Sequence, residues 1–236
     1  MKPGVKLETL SWIEAEQWFA TKPIVAIPLG AAAKAHGPHL PLNNDAIIAA
    51  WLGEQIIDRL PVVVAPLINA SFYPAFIEYP GSISLHYATA RDVIADTCKS
   101  LASFGLSRFY VINTGLSTLR PLAEVKSLLD EGIVFDYLNL DAALQNLPEG
   151  LLQQQYGSHA DEHETSLMLH IAPEVVHMSR AVDDGAEGEG RLTRKRGEGL
   201  WSESGVFGQA TLASADKGKV IAEVLLQHVL AQIERL

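Results

Sequence analysis

The chain has little cysteine, little positive charge and no long apolar segment. Its one cysteine, Cys98, excludes an internal disulfide, and its apolar neighbours are typical of a core position. The 18 basic and 28 acidic side chains give a formal charge of −10, which argues against nucleic acid or an anionic membrane as a partner. Because no run of about 18 apolar residues could span a bilayer, and the N-terminal residues lack the apolar centre of a secretory signal, we expect a cytoplasmic protein.

The apolar content is large enough to build a substantial core. Of the 236 residues, 48% are apolar, which fits one domain over residues 1–236. Short apolar runs typical of buried strands occur at 24–29, 61–66, 108–112 and 133–140. Helical spacing of apolar residues occurs at 10–20, 46–60, 89–104, 119–130 and 219–236. This alternation predicts an α/β fold with a mostly parallel central sheet and helices on both faces.

The segment 27–45 is the strongest candidate for function. It contains His36 and His39, ends at Asp45, and is broken by glycine and proline, which predicts an irregular loop. In parallel sheets, sites lie beyond the carboxyl ends of the strands, where this loop and the polar turn 113–118 both fall. Two structural alternatives remain, because the histidines could brace backbone groups and Asp45 could cap the helix that follows.

Other segments allow more than one interpretation. The cluster 157–169 opens a helix with acidic residues, as the helix dipole favours, so His163 within it is read as a surface or packing residue. Segment 183–203 is predicted to be a long mobile loop over the site or at an interface. Two further groups are left open. One group binds an anion or is a solvated charged run: Arg191, Arg194, Lys195 and Arg196. The other lines a pocket or packs a subunit contact: Phe72, Tyr73, Phe76 and Tyr79.

Three motifs carry a resemblance to a known family. They are the Pro-Leu-Gly and His-Gly-Pro-His-Leu-Pro steps that end at Asp45, the Gly-Ser-Ile-Ser-Leu turn at 81–85, and the stretch 159–169 with His159 and Glu164. With these motifs the chain resembles the creatininase (creatinine amidohydrolase) family over nearly its whole length. The resemblance implies a three-layer α/β/α domain, a homo-oligomer that is often a hexamer, and hydrolysis of a C–N bond in a small cyclic or linear amide by a two-metal centre.

The resemblance also assigns residues and shows two departures. It makes His36 and Asp45 metal ligands and places His159 and Glu164 beside the substrate. Lys34 stands where the family has a metal-binding glutamate, and Gly115 stands where it has a metal-binding histidine. Both of these ligands belong to one metal, so we expect at most one ion per chain, zinc or another divalent metal, or none. If Lys34 points inward, its ammonium would take the vacated position and pair with Asp45.

The leading hypothesis is therefore an amidohydrolase in which Lys34 replaces one metal. His36, Asp45 and Glu164 would hold the remaining ion, Lys34 would stabilise the oxyanion, and His159, titrating near neutrality, would protonate the leaving nitrogen. The residues predicted to line the substrate pocket are His39, Asn113 and Ser117. Two alternatives stay open: an enzyme without metal in which Lys34 is base or nucleophile, and a small-molecule-binding or structural protein without catalysis.

Overall fold

The central sheet has five parallel strands. The computed structural model describes residues 3–185 and 190–236. In spatial order the strands are β1, β3, β2, β4 and β5. Their bounds are β1 (Val5–Lys6), β2 (Val25–Leu29), β3 (Val63–Val64), β4 (Arg108–Asn113) and β5 (Val134–Tyr137). The central strands β2 and β4 pair from Val25 opposite Phe109 to Leu29 opposite Asn113, so their carboxyl ends lie side by side.

Helices cover both faces of this sheet. They are α1 (Trp12–Ala20), α2 (Asn44–Ile57), α3 (Tyr87–Ala102), α4 (Leu119–Val125), α5 (Leu140–Leu144), α6 (Glu162–Ile171) and α7 (Ala215–Ile233). Short strands form two further pairs outside the main sheet: β6 (Asp183–Asp184) with β9 (Gly208–Gln209), and β7 (Leu192–Thr193) with β8 (Leu200–Trp201). No helix in residues 3–185 or 190–236 has the length and apolar character needed to cross a membrane.

Alternate side chains of the central strands enter different cores. Ile27 of β2 packs in a cluster with Ile94 of α3 and Leu122 of α4. Ala26 of the same strand packs in the opposite cluster, which contains residues of α2, α6 and α7 such as Leu225. Successive side chains of a strand point to opposite faces, so a fully apolar strand serves two helix layers. The predicted α/β fold with three layers is confirmed.

Several local predictions need adjustment. The strand β1 was missed, because two residues paired with β3 leave no readable pattern. Helix α2 begins at Asn44, so Asp45 lies within its first turn and the helix-cap alternative is wrong. Cys98 is fully buried, as predicted. Helix α7 begins at Ala215, four residues before its predicted start, because the Ser214 side chain accepts a hydrogen bond from the backbone of the first turn.

Candidate active site

A cavity of about 190 Å³ lies at the carboxyl edge of the sheet. Its polar wall comes from the loops after β2 and β4, from α5 and from the start of α6: Lys34, Thr114, Ser117, Asp141, Ser158, His159, His163 and Glu164. Its apolar wall includes Phe76, Leu116, Leu140, Leu144, Leu192 and Phe207. The predicted histidine loop, polar turn and acid-and-imidazole cluster therefore meet in one place.

Lys34 points inward and forms an ion pair with Asp45. Its Nζ lies 2.6 Å from Asp45 Oδ2, and the lysine is only 4% exposed. The ring centres of Phe76 and Tyr73 lie 5.0 and 5.4 Å from Nζ, within the range of cation–π attraction. An ammonium group held against a carboxylate has no free electron pair, so this geometry disfavours Lys34 as base or nucleophile and favours it as a fixed positive charge.

Asp45 also contacts His36. The ring Nε2 of His36 lies 2.8 Å from Asp45 Oδ1, and its Nδ1 lies 2.8 Å from the backbone oxygen of Lys34. Both partners accept hydrogen bonds, so His36 satisfies both only when each nitrogen carries a proton, and neither nitrogen then has a lone pair for a metal. Burial raises the pKa of Asp45, but the Lys34 and His36 charges outweigh burial and hold it well below its usual range.

His159 is the neutral base of the cavity. Its Nε2 donates to the backbone oxygen of Ala35 at 2.7 Å, which leaves Nδ1 with the lone pair, 3.6 Å from Glu164 Oε2. Burial, followed by the charges of His36 and Lys34, lowers the pKa of His159 well below its usual value. The expectation that His159 titrates near neutrality is therefore wrong, and the ring starts as a proton acceptor.

The backbone around His159 is held in an unusual conformation. Ala160 has φ of +48°, a region that costs a non-glycine residue energy, and its N–H donates to Glu164 Oε2 at 2.5 Å. The backbones of His159 and Phe207 exchange hydrogen bonds of 3.2 and 2.9 Å. The segment that follows β8 thus fixes the start of α6, which carries Glu164.

Only one of the three predicted pocket residues lies on the cavity wall. Ser117 lines the cavity and donates to the backbone oxygen of Phe72 at 2.8 Å. His39 is fully buried, with Nε2 2.8 Å from Thr165 Oγ1, and so braces the loop against α6. Asn113 is also fully buried, and its amide donates to the backbone oxygen of Gly115 at 2.8 Å. His39 and Asn113 thus lie behind the cavity wall; the polar groups of Asn113 are bonded internally, whereas His39 Nδ1 has no hydrogen-bond partner among the described residues.

The turn after β4 has little space for a larger side chain at Gly115. A Cβ added there would lie 3.0 Å from Thr118 Oγ1 and 3.4 Å from Tyr73 Cε1. The Thr118 hydroxyl also donates to the Gly115 oxygen at 2.6 Å, which fixes the turn. A side chain at this position, where the family has a metal-binding histidine, would therefore require Thr118 and Tyr73 to shift by a few tenths of an ångström.

One group of three potential metal ligands comes together among the described residues. The ligand atoms of His36, His159 and Glu164 lie within 4.8 Å of one another and are buried. Ligands of a tetrahedral zinc ion stand about 3.3 Å apart, a spacing that His159 and Glu164 nearly have already. The residues thus fit one ion, provided that His36 releases one of its present partners. Asp45, predicted as a ligand, has Oδ2 on Lys34 and Oδ1 on His36 in this structure.

Residues 186–189 of the predicted loop at 183–203 lie outside the described residues. The described part of this loop covers the site. Leu192 and Leu200 line the cavity. Glu78 anchors the segment, since it accepts hydrogen bonds from Arg191, from the Thr193 hydroxyl at 2.7 Å and from a backbone N–H. The basic residues of this segment are largely engaged by the protein, as in the Arg196 guanidinium 4.7 Å from the ring centre of Trp201.

His163 is a cavity residue that sequence reasoning missed. Its Nδ1 lies 2.7 Å from Asp161 Oδ1. Burial lowers the pKa of His163, but the Asp161 carboxylate outweighs burial and raises it to about 9. The sequence shows that Asp161 and His163 lie at the start of a helix. It does not show which face of that helix meets the cavity.

Two relatives of known name align with nearly the whole chain. A 232-residue alignment with a mycofactocin precursor peptide peptidase of Mycolicibacterium smegmatis is 27% identical and covers 94% of this chain and 88% of the relative. A creatinine amidohydrolase of Pseudomonas putida is 26% identical, covering 97% and 96%.

Solved structures share the fold. A structure titled "Creatininase Mn" has a TM-score of 0.82 at 23% identity, covering 98% of both chains. A mutant creatininase described as Zn-Zn type has a TM-score of 0.78 at 24% identity, with the same coverage. The family model described as creatinine amidohydrolase matches residues 8–233. The chain therefore belongs to the creatininase family, a family of hydrolases.

Proposed function

We propose that this chain hydrolyses a C–N bond of a small cyclic or linear amide, with at most one metal ion and with Lys34 in place of the second. The observation that carries the proposal is the buried Lys34–Asp45 ion pair beside the lone pair of His159, both at the wall of one cavity. A positive group and a base on the same wall are the two elements that attack on an amide carbonyl requires.

The residues of the chain divide the reaction as follows. His159 Nδ1 accepts a proton from the attacking water, whose oxygen forms a bond to the amide carbon. The carbonyl oxygen becomes an oxyanion, and the Lys34 ammonium stabilises its negative charge. When the C–N bond breaks, His159 returns the proton to the leaving nitrogen, so the products are an acid and an amine. Ser117 lines the same cavity and contributes to the substrate pocket.

A divalent ion, zinc by preference, would be held by His36, His159 and Glu164 in a second form of the site, in which His159 Nδ1 is a ligand and the ion, rather than His159, would activate the water. This ligand set differs from the predicted one, since His159 replaces Asp45. Two nitrogens and one oxygen are donors that zinc accepts, and bound zinc supplies water with a pKa of about 7. Lys34 makes a second ion unnecessary, because its charge already lies 2.6 Å from Asp45.

The cavity limits the size of the substrate. Its volume of about 190 Å³ suits a small molecule or a small terminal group. By their names, one relative acts on creatinine and another on a precursor peptide. The cavity favours a small free amide or one terminal group of a longer molecule. We also propose a homo-oligomer, with a hexamer as the expected size, which light scattering on the purified protein tests.

The decisive experiment combines a substrate screen with metal analysis. Cyclic amides, formamides and ureas are assayed for turnover and for thermal shift, with protein purified without chelator. We expect turnover that Lys34→Met and His159→Asn abolish, with no more than one ion per chain. Two ions per chain, or full turnover in Lys34→Met, would contradict the proposal. Asp45 has both oxygens occupied, which also favours a non-catalytic binding protein, and ligand stabilisation without turnover by any compound would establish that alternative.

A further inference from the structure

His163 is a second imidazole on the cavity wall, and the proposed reaction does not use it. It stands in the first turn of α6, directly before Glu164, and lines the same cavity as Lys34 and His159. Its Nδ1 lies 2.7 Å from a carboxylate oxygen of Asp161, so this nitrogen is the donor. The ring is thereby held on one side by the protein.

The carboxylate that holds the ring is itself fixed. Asp161 is fully buried and caps α6, with Oδ1 accepting from the backbone of Glu164 at 3.2 Å and Oδ2 accepting from the Gln154 amide at 2.7 Å. Gly208 packs so closely that a Cβ there would lie 2.4 Å from the Asp161 Cβ. A carboxylate constrained from several sides fixes the orientation of the imidazole it holds.

The other ring nitrogen, Nε2, has no hydrogen-bond partner among the described residues, and the side chain is partly exposed at the cavity. A fixed imidazole with one free nitrogen at a cavity presents a hydrogen-bonding group to a ligand. A hydroxyl group of the ligand can satisfy that nitrogen whether it carries a proton or not, because a hydroxyl both donates and accepts.

The surroundings of His163 disfavour an anionic ligand. Three carboxylates, those of Asp161, Glu164 and Asp141, interact electrostatically with His163. The single positive charge that the His163 ring can carry offsets only one of these three carboxylates, and Lys34, the nearby cation, is already paired with Asp45. A carboxylate on the ligand would meet this excess of negative charge in a partly desolvated space, whereas a neutral hydroxyl would not.

We propose that His163, oriented by Asp161, contacts the substrate and favours uncharged substrates with a hydroxyl group over those with a carboxylate. This inference rests on the hydrolase function proposed above. A hydroxyl that forms one additional hydrogen bond strengthens binding by roughly 2- to 10-fold, whereas repulsion of a carboxylate weakens it.

The test uses three lactams with one ring: pyrrolidinone, its hydroxymethyl derivative pyroglutaminol, and its carboxylate derivative pyroglutamate. Binding is measured by NMR on protein with nitrogen-15-labelled histidine, which reports the ring nitrogens of His163 directly. We expect pyroglutaminol to bind about 5-fold more tightly than pyrrolidinone, pyroglutamate to bind most weakly, and only pyroglutaminol to shift the His163 nitrogens.

Two variants and a control isolate the contact. His163→Phe should reduce the ratio of pyroglutaminol to pyrrolidinone affinity to about one. Asp161→Asn, which keeps an oxygen for the helix cap, should lower the ratio because the ring is no longer held. His170→Phe, at an exposed position on the same helix, should leave the ratio unchanged.

The possible results separate the two proposals. An unchanged ratio in His163→Phe, strongest binding by pyroglutamate, or no binding by any of the three lactams overturns the inference. Binding in the expected order without hydrolysis of any amide keeps the contact and rejects the hydrolase. Hydrolysis of an amide at the same rate in His163→Phe, with an unchanged affinity ratio, rejects the contact alone.

Discussion

The substitution Lys34→Met tests the central feature of the site. Methionine keeps the length and apolar stem of lysine but removes the ammonium that lies 2.6 Å from Asp45. Asp45 is fully buried, so in the variant its negative charge would have neither water nor an ammonium beside it, and His36 would be its remaining partner. The variant should be less stable than the wild-type chain and should offer the vacated position to a metal ion.

The size of the effect follows from the geometry. Two unit charges 2.6 Å apart attract by about 6 kcal/mol at an effective dielectric constant of 20. Desolvation of the ammonium offsets part of this, and removal of one partner from a buried pair costs about 3–5 kcal/mol. For a chain of this size each kcal/mol lowers the Tm by about 2–4 °C, so we expect a decrease of roughly 6–20 °C.

The assay compares thermal unfolding with and without zinc. Zinc at about 100 times its dissociation constant stabilises a bound protein by about 2.7 kcal/mol, which should restore roughly 5–10 °C of the loss in Lys34→Met. Metal analysis should show one more ion per chain in the variant than in the wild-type protein, because Asp45 and His36 then face an open position.

Lys217→Met is the matched control. Lys217 forms an ion pair with Glu162, which is fully buried and accepts two further hydrogen bonds from backbone N–H groups. This variant should also lose stability, but zinc should not restore it, because no imidazole contacts Glu162 among the described residues. Wild-type stability in Lys34→Met, or equal zinc effects in both variants, would refute the reasoning.

Three further predictions concern the start of α6. The pKa of His163 is raised to about 9, against about 6.5 for an unfolded histidine. Its contribution to stability is therefore complete below about pH 6.5 and is lost as the pH rises through 9. In urea unfolding, the stability advantage of the wild-type chain over His163→Gln should fall by up to roughly 3 kcal/mol across this range. Gly208→Ala should destabilise the fold by about 2 kcal/mol or more, because φ is +142° and the new Cβ meets Asp161; Gly197→Ala, with positive φ but open space, should cost less in the same assay. Glu164→Gln should weaken zinc binding at least about 10-fold in a chelator competition, and unchanged affinity would exclude Glu164 as a ligand.

The sequence predicted the elements whose signal is local. Apolar runs identified β2 and β4, and their order along the chain placed the histidine loop and the polar turn 113–118 at one edge of the sheet. The place of Glu164 beside them was implied by the family resemblance. The pairing of Lys34 with Asp45 was a conditional expectation that combined the resemblance, which shows a missing metal ligand, with the charge of an inward lysine.

Tertiary contacts decided what the sequence could not. The partner of the His159 Nε2 is a backbone oxygen of Ala35, 124 positions away, and backbone oxygens leave no trace in a sequence. His39 carries the same residue type as His36 in the same loop, yet it bonds Thr165 and lies away from the cavity. The same limit applies to His163, whose exposure depends on how α6 is rotated.

The charges of the site give the reason for proposing that Lys34 takes the place of one metal ion. Asp45 and Glu164 are the buried carboxylates around His159, and Lys34 supplies a fixed positive charge to the first of them. His36, with both nitrogens on acceptors, supplies a second when it carries two protons. The charges of Asp45, Glu164, Lys34 and His36 then sum to zero without a metal ion. A divalent ion at the His36, His159 and Glu164 position adds two charges, so its binding requires His36 to release a proton and exchange a hydrogen bond for the metal. On the proposed function, ion binding at this site is therefore coupled to the state of His36, and Lys34 limits the number of ions that the site holds.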